Sequence, residues 1–212
     1  MSPPIIKNVE LDFLTLIEYN VRPPIAFRTK QDLQNWARSV NLNEKNIDRF
    51  SSKNIIEMSG QIPVSQGALL PYMQVWARAE YRGYRAAMIK FIRRVDRFTG
   101  DFHPYDVDHA VARSRLKECW PSAWINIMLV ERGLNRSVGA LFKNYIAPPL
   151  QEATVLVDLE CILKIFYGRK HALSKEGVPG FLKDAYHRFL KDSDAGKILT
   201  QIAMEQGIFV GE

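Results

Sequence analysis

Apolar positions along this chain recur mostly at helical spacing, and the elements they predict are mostly helices. Residues 9–20 (VELDFLTLIEYN) suit a short amphipathic helix that Arg22, Pro23 and Pro24 stop. Thr29 reads as the N-cap of a helix over 30–40, with Gln31 and Asp32 in its first turn. A short helix over 44–50 and a loop over 51–63 with a few apolar anchors follow. The longest expected helix covers 70–97. Pro71 suits its first turn, and Met73, Trp76, Ala77, Tyr84, Ala87, Met88, Phe91 and Val95 gather on one face. Three more helices are expected over 152–167, 180–192 and 195–206. Two segments break the pattern: 104–113 alternates and 124–130 is a continuous β-type apolar run. A turn with Gly133 then leads to a helix over 136–145, ended by Pro148 and Pro149. The expected fold class is α+β, mostly α, divided into a helical N-terminal region over 1–65 and a second region over 66–212.

A length of 212 residues is enough for a real core in one large or two small domains. The formal charge of +6 and pI near 9.3 favour an anionic partner. Cys119 and Cys161 form neither a metal spacing nor a disulfide framework, which fits a reducing compartment. The first residues lack the basic stretch and apolar run of a signal peptide, so a cytoplasmic site of action is expected. The most apolar long segment, 153–166, is interrupted by Asp158, Glu160 and Lys164, so no membrane association is expected.

The candidate chemistry sits in YDVDHAVARSRLKECWPSAWINIMLVERGLNRSVG, residues 105–139. An alternating segment ends in Asp108-His109, a β-type segment carries Asn126, and Asn135 stands at the mouth of a helix. This ordered set resembles the HNH endonuclease family, and YDVDH is especially similar to the HNH domain of RNA-guided CRISPR nucleases. The resemblance spans about a fifth of the chain, roughly 104–147. It implies a ββα-metal motif embedded in a helical scaffold, and a metal-dependent DNA endonuclease. His109 would be the general base, a role that an imidazole titrating near neutrality suits. Asp108 and Asn135 would hold Mg²⁺ or Mn²⁺ through hard oxygen donors. Asn126 would brace the connection between the strands. No structural zinc is expected, because no CxxC pair is present. If 104–113 is extended, Asp108 and His109 point to opposite faces, and both can serve one site only where the strand ends or twists.

Arg136 is the expected phosphate clamp, beside helix N–H groups that favour an anion. Arg113, Arg115 and Lys117 are further candidates for phosphate contact, with solvated surface as the plain alternative. Arg78, Arg82, Arg85 and Arg93 fall in one sector of the expected 70–97 helix. That stripe either tracks a nucleic-acid backbone or is a solvated face. His103 is a candidate auxiliary residue, with a structural or surface role the simpler account. The resemblance extends to HNH-type bacterial toxin domains, which implies a toxin or defence nuclease. Such a protein is held inactive by an immunity or partner protein, and delivery by a secretion system is compatible with it. The competing reading is a catalytically inactive HNH-fold module that binds nucleic acid or a protein, and a misplaced Asp108–Asn135 pair would favour it.

Overall fold

The computed structural model describes residues 16–17, 21–47, 53–64, 67–95, 97, 99–116, 119–142, 152–166 and 194–205. The expected helices over 9–20 and 180–192 lie wholly or almost wholly outside them, as does Lys117. A mostly helical fold is not what forms. The centre of the molecule is a curled, seven-stranded antiparallel sheet, a half-barrel. Its strands are β1 (Pro24–Phe27), β2 (Leu42–Lys45), β3 (Ile55–Pro63), β4 (Leu69–Arg78), β5 (Tyr105–His109), β6 (Trp124–Glu131) and β7 (Thr154–Leu156). They are ordered β2-β3-β4-β6-β1-β7, with β5 also paired to β6. The helices are α1 (Lys30–Ser39), α2 (Tyr84–Val95), the single turn α3 (Arg113–Leu116), α4 (Arg132–Phe142), α5 (Leu159–Phe166) and α6 (Asp194–Glu205).

The expected helix over 70–97 is where periodicity misleads. Residues 69–78 are β4, and helix begins only at Tyr84. Along β4, Tyr72 and Trp76 enter one core while Val75 and Ala77 enter another. A strand buried on both faces loses its polar–apolar alternation, and its apolar run then merges with that of the following helix. The same burial on both sides turns the expected 51–63 loop into β3, whose Ile55, Ile56, Glu57, Met58 and Ser59 are all buried. The expected helix start at 44 is instead the end of β2, paired to β3 through Leu42 and Gly60. Strands β3 and β4, which flank the expected division at residue 65, pair with each other, so strands from both expected regions share one sheet.

Local signals fare better. Thr29 caps α1 with a reciprocal capping box: its hydroxyl accepts from Asp32 N–H, and the Asp32 carboxylate accepts from Thr29 N–H at 3.0 Å. Thr29→Ala should lower stability by about 1 kcal/mol in urea unfolding, and an unchanged midpoint would show that the cap is redundant.

Central strand β6 fixes the rest. Ala123 C=O accepts from Ala79 N–H beyond β4, whereas Asn126 C=O accepts from Ala110 N–H beyond β5. Successive carbonyls point to opposite edges, so β4 holds one edge of β6 while β1 and β5 share the other end to end. The two faces of the β5–β6 pair have different partners. Val107, Ile127 and Leu129 pack with Ala87, Met88, Phe91 and Ile92 of α2. Met128 and Val130 pack with Val138 and Leu141 of α4, in a core that also takes in α5 and α6.

Candidate functional site

Strand β5 alternates as extended chain must. Asp106 lies opposite Val130 and Asp108 opposite Met128, on the α4 face, while His109 lies opposite Ile127 on the α2 face. The twist that would bring Asp108 and His109 to one point does not occur. The His109 residue is 2% exposed, and its ring meets Tyr84 edge-on with centroids 4.5 Å apart. Its Nε2 has no hydrogen-bond partner among the described residues. Burial pushes its pKa down to about 4; Asp108 opposes the shift, and Arg113 and Lys164 add to it. The imidazole is therefore neutral at pH 7, the protonation state a base needs.

Asp108 is already engaged. Its carboxylate is 2.8 Å from Lys164 Nζ, which also donates to the His109 carbonyl at 2.8 Å and to Glu160 at 2.9 Å. Burial works against the Lys164 ammonium, but Glu160 and Asp108 outweigh it and raise its pKa. Glu160 also accepts from Ala112 N–H at 3.2 Å and Arg115 at 3.1 Å, and Arg115 bonds Asp158 at 2.6 Å. The expected phosphate contact by Arg115 is thereby corrected. Its part-buried guanidinium is neutralised by two carboxylates, so it is not free to take a phosphate.

Asn135 stands in the first turns of α4, which starts at Arg132 rather than at 136. Its amide donates to Asp106 at 3.4 Å, beside Arg132 at 3.2 Å and Arg85 at 3.9 Å from the same carboxylate. His103 lies 3.5 Å from Arg132. The opening of α4 is not left for an anion. The Glu131 carboxylate accepts from Gly133 N–H at 3.0 Å and Leu134 N–H at 2.9 Å, and the Arg132 N–H donates to Pro104 C=O. Arg136 is exposed on α4. Asn126 is fully buried and donates to Gln74 at 3.1 Å, so its backbone rather than its side chain braces the β5–β6 connection.

The basic stripe is divided among a strand, a turn and a helix. Arg78 ends β4 and pairs with Glu80, Arg82 is exposed in the turn, and Arg85 opens α2, donating to Tyr105 C=O at 3.2 Å. Arg93 stands near the far end of α2, over the Phe102 ring. Arg113 donates to Ala79 C=O at 3.3 Å and lies over the Tyr84 ring. Asp106, Arg132, Asp158, Glu160 and Lys164 are the participants that sequence reasoning passed over. Two signals pointed to three of them. Asp106 shares the face of Asp108 two residues on, and Glu160 and Lys164 sit at i, i+4 in the otherwise apolar run 153–166.

The hard oxygens of Asp108 and Asn135 are the right kind of donor for Mg²⁺ or Mn²⁺, and both residues lie on the α4 side of the strand pair. Beside Asp108 three oxygens already hold a cation, which fits the chemistry, but that cation is the Lys164 ammonium. Among the described residues no three His, Cys, Asp or Glu side chains converge to hold a metal. No helix among them is long and apolar enough to cross a membrane. Comparison of the chain with protein-family models, curated proteins and solved structures finds no match.

Proposed function

We propose that this protein is a metal-dependent DNA endonuclease acting as a bacterial toxin or defence enzyme, with an immunity or partner protein to restrain it. The observation that carries this reading is the β5–β6–α4 succession. Its helix lies on the Asp106/Asp108 face, with Asn135 hydrogen-bonded to Asp106. Asp108 and Asn135 would hold Mg²⁺ or Mn²⁺, which supplies charge neutralisation at the phosphate and the departing oxygen. Neutral His109 would take the proton from water, for which its ring has to leave Tyr84 and turn toward solvent. Exposed Arg82 and Arg136 would grip phosphates, and the positive net charge favours DNA in general.

A second reading has its own support. Asp108 is bonded to Lys164, and His109 faces away from it, as in a nucleic-acid-binding module without turnover. Supercoiled plasmid with Mg²⁺ or Mn²⁺ separates the two. The wild type should nick it, and His109→Ala should slow nicking by about 100-fold or more. If wild type and His109→Ala both bind DNA in a salt-sensitive way and neither cuts, the binding module replaces the nuclease. Expression of the wild type should also be toxic, and His109→Ala should relieve it. Harmless high-level expression of the wild type would count against the toxin role.

A further inference from the structure

Lys164 reaches Asp108 from the protein side. Its side chain is 2% exposed, whereas that of Asp108 is 28% exposed, so the carboxylate meets solvent on one side and the ammonium on the other. Three oxygens surround the ammonium, one each from Asp108, Glu160 and the His109 carbonyl, at 2.8, 2.9 and 2.8 Å. These are hard donors, the kind a divalent ion also takes. The charge balance is complete to within one unit. Asp108, Glu160 and Asp158 contribute three negative charges, and Lys164 and Arg115 two positive ones. A divalent ion added at Asp108 would face the ammonium at close range, where like charges repel strongly. Without the ammonium, the remaining four groups carry two negative charges, the complement of a divalent ion.

We propose that Lys164 is a tethered cation that excludes divalent ions from the Asp108 carboxylate in the DNA-free protein, so that metal loading there requires Lys164 to withdraw, as DNA binding would make it do. The proposal rests on the nuclease reading for the claim that a divalent ion is what Asp108 would otherwise take. It adds a control to that reading: anything that draws α5 away from β5 opens the site.

Calorimetric titration of the full chain with Mn²⁺ tests it. Wild type and Asp108→Asn should bind Mn²⁺ equally weakly. Lys164→Met, whose unbranched side chain fills the same space, should bind at least about ten-fold more tightly. The gain should vanish in Lys164→Met/Asp108→Asn. A folded Lys164→Met with no gain overturns the proposal, as does a wild-type affinity that falls about ten-fold on Asp108→Asn. Where Lys164→Met does not fold, the comparison of wild type with Asp108→Asn decides: equal affinities support the exclusion and a fall refutes it. Plasmid cleavage is scored separately. Asp108-dependent Mn²⁺ binding by Lys164→Met without cutting by any variant sinks the nuclease and leaves the exclusion standing. Cleavage by a wild type with an Asp108-dependent Mn²⁺ site does the reverse.

Discussion

Glu160→Ala should cost the protein roughly 3–5 kcal/mol, the range for breaking a buried ion pair by removing one partner. Glu160 is 1% exposed and satisfies three donors: Lys164, Arg115 and the Ala112 N–H. The loss comes less from forfeited attraction than from what is left behind. Among the described residues Lys164 then keeps only Asp108 and a carbonyl and Arg115 only Asp158, and water has little access to Lys164. Glu160→Gln should cost less, since an amide oxygen still accepts while the charge is lost. Urea unfolding at pH 7 measures both. A loss below about 1 kcal/mol for Glu160→Ala would mean that the cluster is hydrated and that the tethered cation is weakly held.

Acid should find a second weak point at His109. Its folded-state pKa of about 4 lies below the ordinary 6.5, because burial disfavours the imidazolium. The unfolded chain therefore binds a proton that the folded chain resists. Stability from this group is complete above about pH 6.5 and is lost as pH falls through the window to about 4. The difference of about two and a half units corresponds to roughly 3 kcal/mol. Carboxylates titrate in the same range, so the measurement is a comparison with His109→Phe, which keeps a ring against Tyr84 and cannot titrate. Wild type should lose roughly 3 kcal/mol more than His109→Phe between pH 7 and pH 4. Parallel pH profiles would show that His109 is solvated in the folded state. That result would ease the demand, in the nuclease reading, that its ring leave Tyr84.

The two experiments probe opposite faces of one five-residue strand. Asp108 belongs to an ionic cluster with α5, and His109 to an aromatic contact with α2. Catalysis by both would need α5 and α2 to give way on their respective sides. A partner or substrate that contacts either helix would therefore act on the site at a distance, through groups already in place.

What could be read along the chain is what neighbours in sequence decide. The capping box of Thr29 and Asp32 closes within three residues, and α1 starts where those residues indicate. The alternation of 105–109 and the apolar run 124–130 became β5 and β6, and the helix expected over 195–206 became α6 within a residue at each end. The chemical types at the site, a carboxylate, an imidazole and two amides, were equally visible. Strands β3 and β4 were not, because burial on both faces erases the alternation that marks a strand, and only the neighbouring strands supply that burial. The partners of Asp108 were hidden for the same reason. Lys164 joins it from 56 residues further along the chain, brought there by the packing of α5 beside β5. Hydrogen bonds and side-chain periods reach a few residues along a chain, so they set the elements. Which charge meets which, and on which face of a strand, depends on how the elements stack. Only the tertiary structure decided that Asp108 would hold an ammonium and that His109 would turn its back to it.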